Sequence, residues 1–290
     1  NWLRSINMKK SKIYICPKSK TQLYLNKKYY YNKEKKYFIL ENLNHEIVDF
    51  LNNKKTQNFY LQKKFYKNYI SWLTKTLKLN FGQIRQELFD DLKIKKKINI
   101  LFIGCGFGDE ILFFINKFGK NFNIYAQDIS KMMVLESSKK LKKFKIKFSI
   151  SDASSLPYKN NLFDFTFHFG GINQFKNKEN SIYEMNRITK NGGIVIFSDE
   201  GMSPWLKKTE TYKALKVNNT LWSSQPPINI LPVNSKKVTI KWILKENFYL
   251  IKYFKNNKKI DINYDIKHKS PRGGSIRSRY ESFYKRKLKL

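Results

Sequence analysis

Three glycines in one short turn have the type and spacing of a ligand-binding loop. Gly104, Gly106 and Gly108 directly follow the apolar run 100–103, and a helical pattern begins at Asp109. Glycines let the backbone turn tightly and approach a ligand without a Cβ in the way, and the following helix N-terminus offers free N–H groups. Because a strand precedes this turn and a helix follows it, the pattern predicts a ligand site there.

Two aspartates follow the glycines, each at the end of a predicted strand. Asp128 ends the strand 123–127, and Asp152 follows the strand that closes at Ile150. An acid at the first position can accept hydrogen bonds from both hydroxyls of a ribose, and one at the second can accept from an exocyclic amine. The alternative is that both acids only cap helices, as Asp128 can do just before Ser130. Their order along the sheet edge favours one ligand site.

The glycine spacing is GxGxG and differs from the GxGxxG of nicotinamide and flavin binders. A dinucleotide presents a pyrophosphate to the helix N-terminus, whereas a ligand that has a carboxylate and no phosphate needs a different cradle. The spacing therefore points away from dinucleotide cofactors.

These motifs resemble those of the class I S-adenosylmethionine-dependent methyltransferases. Residues 100–108 resemble motif I of that superfamily, Asp128 its ribose-binding acid, and Ser151-Asp152-Ala153 its adenine-contacting motif. Phe163-Asp164-Phe165 resembles the start of motif IV, and residues 187–193 resemble its R-x-L-K-P-G-G turn, with Thr189 and Asn191 as departures. The stretch 167–173 is similar to the methyltransferase type 11, or ubiquinone/menaquinone C-methyltransferase, branch.

The resemblance implies an S-adenosylmethionine-dependent methyltransferase that acts on a small-molecule acceptor, with S-adenosyl-L-methionine as its cofactor. We expect no metal, because the two cysteines, Cys16 and Cys105, lie too far apart in the sequence to suggest a cysteine-based zinc site. A fold that has lost activity is disfavoured because the glycines and both aspartates are in place. The implied cofactor-binding residues are Gly104, Cys105, Gly106, Gly108, Asp128, Ile129, Asp152, Ala153 and Phe169.

The sequence does not assign a catalytic residue, although four side chains are candidates. His168 lies on the fourth strand of this region, Asn173 follows it, and Asp199 and Glu200 end the fifth. A general base is needed only if the accepting atom carries a proton. A buried histidine is an equally good interpretation of His168, and a turn-forming role is equally good for the two acids. Cys105 is interpreted as a small packed residue.

The alternation of strands and helices from Ile98 onward predicts the fold class. It predicts an α/β fold with right-handed crossovers and a parallel sheet. The family resemblance implies that this sheet is a Rossmann-like, seven-stranded mixed sheet in the order 3-2-1-4-5-7-6, with helices on both faces, and the residues before it are expected to form a small N-terminal extension. Strands 238–244 and 248–254 form the closing pair. Helices are predicted over 57–78, 81–92, 109–118, 180–188 and from Ser130 to about Leu141.

The predicted organisation has an N-terminal extension at 1–56, a helical lead-in at 57–97, a catalytic domain at 98–254 and a basic tail at 255–290. The extension resembles a degenerate zinc ribbon, but Cys16 has no second cysteine nearby, so we expect no zinc. Residues 201–235 are expected to cover the substrate side with the aromatic side chains Trp205, Tyr212 and Trp222. The lead-in is expected to form the other wall with Tyr60, Tyr66, Tyr69 and Trp72. For most of these aromatic residues, simple packing is the alternative.

The net charge of +36 raises the question of nucleic acid. Of the 58 basic residues 51 are lysine, whereas phosphate readers favour arginine, and the flanks 1–97 and 201–290 each carry +16 against +4 for 98–200. An RNA methyltransferase, or a methyltransferase-like subunit of a ribonucleoprotein, that binds RNA through these flanks is therefore the alternative function. Two cysteines and no apolar run of about 18 residues favour a cytoplasmic protein without a membrane span. Because the chain begins with Asn1, residues upstream and an organellar origin stay open, as does the oligomeric state.

Overall fold

Twelve strands of the described residues form one mixed β-sheet. The computed structural model describes residues 9–42, 45–52, 63–95, 97–258, 261–269 and 273–289. The strand order is β1-β2-β3-β4-β5-β8-β7-β6-β9-β10-β12-β11. The strands are β1 Lys9–Ile15, β2 Gln22–Leu25, β3 Tyr29–Tyr31, β4 Lys36–Asn42, β5 His45–Asp49, β6 Asn99–Ile103, β7 Asn123–Asp128, β8 Ile146–Ile150, β9 Phe163–Phe169, β10 Thr189–Glu200, β11 Ser235–Ile243 and β12 Phe248–Lys255.

Seven of these strands have the order that the family resemblance implies. The run β8-β7-β6-β9-β10-β12-β11 is the order 3-2-1-4-5-7-6, with β6 to β10 parallel and β12 antiparallel to both of its neighbours. The prediction of an α/β, Rossmann-like sheet is thus confirmed. Because the parallel strands end at one edge, the residues after β6, β7, β8, β9 and β10 come close together there.

The five helices expected from the apolar periodicity are present in the described residues, with ends that differ by a few residues, whereas a helix at Ile276–Tyr284 lies in the segment that was expected only to be a basic tail. Ser130 caps the helix Lys131–Lys140, and its hydroxyl accepts a hydrogen bond from the Met133 amide at 3.3 Å, as expected for an N-cap. Residues 57–62 of the predicted first helix lie outside the described residues. The helices are α1 Lys63–Leu77, α2 Phe81–Phe89, α3 Asp109–Phe118, α4 Lys131–Lys140, α5 Lys178–Ile188, α6 Glu210–Asn218 and α7 Ile276–Tyr284.

Apolar side chains bury both faces of the sheet. On one face Phe114 of α3 packs on Phe102 of β6, and Phe89 of α2 packs on Phe167 of β9. On the other face α5 packs on a second core, to which Leu101, Phe163, Phe197, Ile182 and Met185 contribute. Alternate residues of β6 enter opposite cores, Ile100 and Phe102 on one side and Leu101 and Ile103 on the other, which is the pattern of a strand covered on both sides.

The N-terminal strands belong to the same sheet and extend it beyond the predicted seven strands. Strand β5 pairs in parallel with β8, and β1 returns to the chain after β8, where Ile15 N–H donates to the Pro157 carbonyl at 2.9 Å. Tyr14 packs on Tyr30 and Tyr158 with ring centroids 5.0 and 5.5 Å apart. The extension thus covers an edge of the sheet that would otherwise expose unpaired backbone groups.

Residues from Asn257 onward form a compact unit separate from the residues up to Asn256. In this unit, helix α7 begins after Ser275, whose hydroxyl accepts from the Ser278 amide at 3.1 Å. The guanidinium of Arg277 donates to Asp265 at 2.6 Å and so holds the helix to the preceding loop. No described helix of the chain is long and apolar enough to cross a bilayer.

Candidate functional site

The glycine turn joins β6 to α3 with three residues in the left-handed region. The φ angles of Gly104, Gly106 and Gly108 are +60°, +50° and +76°, which favour glycine. A Cβ at Gly108 would lie 2.5 Å from the Ser137 hydroxyl oxygen, whereas a Cβ at Gly106 would meet only the Tyr66 hydroxyl, at 3.8 Å. Gly108 therefore lets α4 approach closely, and Gly106 presents bare backbone towards α1.

The end of β7 holds this turn through its backbone amides. The amide of Gly104 donates to the Gln127 side-chain oxygen at 3.3 Å, and that of Cys105 donates to the Gln127 carbonyl at 2.9 Å. The amide of Gly106 donates to Asp128 Oδ2 at 2.9 Å. Sequence reasoning missed Gln127, although its place directly before the predicted acid was the available signal. Cys105 itself is buried, as predicted for a packed residue.

Asp128 is buried and accepts hydrogen bonds from backbone amides on both sides. Besides Gly106 it accepts from the Ser130 amide at 2.9 Å and from the Ile129 amide. Burial raises the pKa of this carboxyl, while the three amides oppose the shift. The capping and the ligand-site interpretations of Asp128 are therefore compatible, because the same carboxylate orders the turn and lies at the strand end.

Asp152 is exposed and orders the loop after β8. Its Oδ1 accepts from both the amide and the hydroxyl of Ser154 at 2.8 Å, which makes it the N-cap of a short 3₁₀ turn at Ala153–Ser155. Ala153 is buried. The Ser155 hydroxyl donates to the Pro17 carbonyl at 2.6 Å, so the N-terminal strands hold this loop from outside.

A cavity of ≈ 10 Å³ lies at the glycine turn, and half-buried Phe169 lines it. Glu110 of α3 also lines the cavity, and it forms a buried ion pair with Arg85 of α2 at 2.9 Å. Burial raises the pKa of Glu110. Sequence reasoning missed this pair, because nothing local to Glu110 indicates that a cation from α2 faces it.

His168 lies in the core below the glycine turn. It is fully buried, and its Nδ1–H donates to the Ile103 carbonyl at 3.0 Å. A Cβ at Gly104 would come within 3.1 Å of its ring. Burial lowers the pKa of His168 to about 4. The placement fits the buried-histidine interpretation, since the ring supports Gly104 from beneath.

The other three candidates form one network at the ends of β9 and β10. Asp199 is fully buried and accepts from the amides of Gly171 at 3.1 Å and Asn173 at 2.6 Å. Asn173 donates its side-chain amide to the Glu200 carbonyl at 2.7 Å and accepts from the Tyr249 hydroxyl at 3.0 Å. Asn173 and Asp199 thus order the loop, which agrees with the turn-forming interpretation.

Glu200 differs from Asp199 because one of its carboxylate oxygens accepts no hydrogen bond from the described residues. It is 4% exposed, Oε1 accepts a hydrogen bond from the Tyr69 hydroxyl of α1, and Oε2 has no partner among the described residues. No lysine or arginine of the described ranges forms an ion pair with either acid. Burial and the neighbouring Glu200 carboxyl raise the pKa of Asp199 well above its usual value. The two acids are therefore a buried, cation-free pair in a strongly basic protein.

Helix α1 covers both parts of this edge. The Tyr66 ring packs edge-on against Phe107 of the glycine turn at 5.1 Å, and Tyr69 stacks on Trp72 at 6.0 Å while its hydroxyl reaches Glu200. Tyr60 lies outside the described residues.

In the segment 201–235, Trp222 is fully buried and packs edge-on against Phe248 at 5.7 Å, whereas Trp205 is 59% exposed. The Tyr212 hydroxyl is 3.1 Å from the Ser223 hydroxyl. Trp222 is therefore a core residue, and the packing interpretation holds for it. Within the described part of the chain, no three His, Cys, Asp or Glu side chains are grouped to hold a metal ion.

Comparison with known proteins identifies the family to which the chain belongs. Residues 94–255, more than half of the chain, match the family described as Methyltransferase domain. The chain is 31% identical over 111 residues to ajmaline N-methyltransferase of Rauvolfia serpentina, a match that covers 37% of this chain and 38% of the relative. It is 26% identical over 113 residues to demethylmenaquinone methyltransferase of Staphylococcus aureus, covering 39% and 47%. The chain thus spans less than half the length of these relatives.

Among solved structures, the fold is similar to that of phosphoethanolamine N-methyltransferase 2 of Haemonchus contortus, whose structure contains S-adenosylhomocysteine. The TM-score is 0.53 at 15% identity, and the likeness covers 70% of this chain and 61% of the other. At this identity the likeness concerns the fold alone.

Proposed function

Because the chain belongs to the methyltransferase-domain family, we propose that it transfers a methyl group from S-adenosylmethionine to a small-molecule acceptor. The main observation in support of the proposal is the hydrogen bond that the Gly106 amide donates to the Asp128 carboxylate. It joins the glycine turn after β6 to the acid that ends β7. One rigid unit thereby presents bare backbone and a carboxylate at the same sheet edge.

The residues at this edge fit the chemistry of the cofactor. Asp128 accepts from the ribose hydroxyls, Gly104 and Gly106 leave room for the backbone to approach the ligand, and α3 begins directly after them. Asp152, exposed at the next strand end, accepts from the adenine amine. The other residues that we assign to cofactor binding are Cys105, Gly108, Ile129, Ala153 and Phe169.

S-adenosylmethionine supplies a methyl group that its sulfonium already activates for displacement. The protein then has to align the acceptor and exclude water. Glu200, with its unpartnered Oε2, lies next to the cover formed by α1 and is suited to accept a hydrogen bond or a proton from the acceptor. Tyr69 orients this carboxylate, and Asp199 and Asn173 hold the loop beside it.

The acceptor is proposed to be hydrophobic or ring-bearing. Two features support this proposal: the aromatic side chains Tyr66, Tyr69 and Trp72 on α1, and relatives named for the methylation of ajmaline and of demethylmenaquinone. The RNA alternative gains no support from these relatives.

Calorimetry and a labelling assay test the proposal. Titration with S-adenosylhomocysteine should give a saturable heat, whereas NAD⁺ and ATP at equal concentrations should not. With methyl-labelled S-adenosylmethionine and a low-molecular-mass extract of the source cells, label should appear in a small molecule. Absence of S-adenosylhomocysteine binding would overturn the cofactor assignment, and label recovered in RNA would overturn the acceptor class.

A further inference from the structure

Helix α7 carries an apolar face on its outer side. Ile276, Tyr280, Phe283 and Tyr284 follow the spacing i, i+4, i+7 and i+8, which puts them on one face of the helix. Three of them are exposed: Ile276 by 56%, Phe283 by 79% and Tyr284 by 55%. Monomeric proteins leave grouped apolar side chains in water mainly where something else binds.

The polar side of α7 makes the contacts within its own unit. The Arg277 guanidinium bonds to Asp265, and the Arg279 Nε donates to the Gly273 carbonyl at 2.8 Å. The helix is therefore held with its apolar face turned outward. Ile262 and Ile266 of the same unit are also exposed, by 46% and 68%.

The aromatic rings on this face pack against one another, and an arginine side chain lies beside them. The rings of Tyr280 and Tyr284 lie 4.7 Å apart, those of Phe283 and Tyr284 lie 4.9 Å apart, and the Arg286 guanidinium is 5.5 Å from the Tyr284 ring centroid. Tyrosine and arginine beside apolar residues are typical of the boundary between water and lipid.

The charge of the unit limits what can cover this face. Residues 257–290 contain eleven basic and three acidic residues, a net charge of +8, and four of the five residues 285–289 are basic. A second copy of this unit would bring the same charge and be repelled. The partner must be anionic and must also accept apolar side chains.

An anionic bilayer surface meets both requirements. Apolar side chains of a short amphipathic helix enter the boundary between headgroups and acyl chains, and lysines and arginines remain among the anionic headgroups. Single-stranded RNA would match the charge and could stack on the rings, but it offers nothing to the aliphatic Ile262, Ile266 and Ile276. We propose that the C-terminal unit, residues 257–290, docks the protein on anionic lipid bilayers through the apolar face of α7.

Sedimentation with vesicles tests this proposal on the full chain. Vesicles of phosphatidylcholine with about 30% phosphatidylglycerol should bind the protein at least about tenfold more tightly than pure phosphatidylcholine, and salt should weaken binding. The double variant F283S/Y284S should lose at least about tenfold of this affinity. The matched control V217S/V233S removes two apolar side chains that are 88% and 98% exposed outside this unit, and it should bind like the wild type.

Three results would overturn the proposal. They are equal affinity for both kinds of vesicle, unchanged binding by F283S/Y284S, or tighter binding of single-stranded poly(U) than of the anionic vesicles. Calorimetry with S-adenosylhomocysteine, run on F283S/Y284S as a check of folding, should match the wild type. This result separates a failure of docking from a failure of the proposed methyl transfer.

Discussion

The two halves of the functional edge are built in different ways. In the half formed by β6, β7 and β8, neighbouring turns hold each other through backbone amides, as the Gly106 amide does with Asp128. In the half formed by β9 and β10, side chains far apart in sequence make the site, as Tyr69 and Glu200 do across 131 positions. The second half also leaves a buried carboxylate oxygen, Glu200 Oε2, without a partner among the described residues. The difference suggests a rigid cofactor half and an acceptor half that only its ligand completes.

Alanine substitutions at one glycine in each half test the rigidity of the first. Gly108 and Gly170 have similar φ angles, +76° and +72°, but a Cβ at Gly108 would lie 2.5 Å from Ser137 Oγ, whereas one at Gly170 meets nothing within 4 Å. We expect Gly108→Ala to lower the free energy of unfolding by about 3 kcal/mol, from backbone strain and overpacking, and Gly170→Ala to lower it by about 1 kcal/mol. Urea unfolding measures both, and equal losses would show that the first half is not the tighter one.

His168, below the boundary of the two halves, should make the fold sensitive to acid. Its pKa is lowered to about 4, so between pH 6.5 and 4 the histidine binds a proton in the unfolded chain but stays neutral in the folded protein. Stability is therefore lost as the pH falls through this window, by about 3 kcal/mol at pH 4. The difference in unfolding free energy between wild type and His168→Gln should fall by that amount from pH 7 to pH 4. A difference that stays constant would contradict the burial of this ring.

Glu200→Gln should stabilise the unliganded protein, because it removes a buried charge that no described cation compensates. We expect the free energy of unfolding to rise by about 1 kcal/mol at pH 8. Burial and the Glu200 carboxyl raise the pKa of Asp199 above its value in the unfolded chain. The stability that protonated Asp199 contributes is complete below the unfolded-state pKa and is lost as the pH rises through the folded-state pKa, and removal of the Glu200 carboxyl reduces this loss. The advantage of the variant should therefore shrink towards pH 4. Glu210→Gln, at a carboxylate that is 87% exposed, is the control and should change little.

Local patterns predicted the turns, caps and individual strands well and the contacts between distant segments poorly. The turn and the Ser130 cap follow from residue types and their spacing along the chain, whereas the order of the seven strands follows from the family resemblance. The pairing of β5 with β8 brings together residues about 100 positions apart, such as Val48 and Ser149, and no local signal marks it. The contact of Tyr69 with Glu200 and the burial of His168 likewise depend on packing between distant segments. A sequence pattern can place such residues on a strand or a helix, but it does not show what lies against them.

The affinity for S-adenosylhomocysteine in Asp128→Ala and Glu200→Gln, measured by calorimetry, tests the account most directly. Asp128→Ala removes the proposed ribose acceptor together with the anchor of Gly106, and each is worth about 1.5–3 kcal/mol as a hydrogen bond to a charged group. We predict at least about 100-fold weaker binding for this variant and a change within about threefold for Glu200→Gln. Undiminished binding by Asp128→Ala, or a large loss in Glu200→Gln alone, would contradict the division into a cofactor half and an acceptor half.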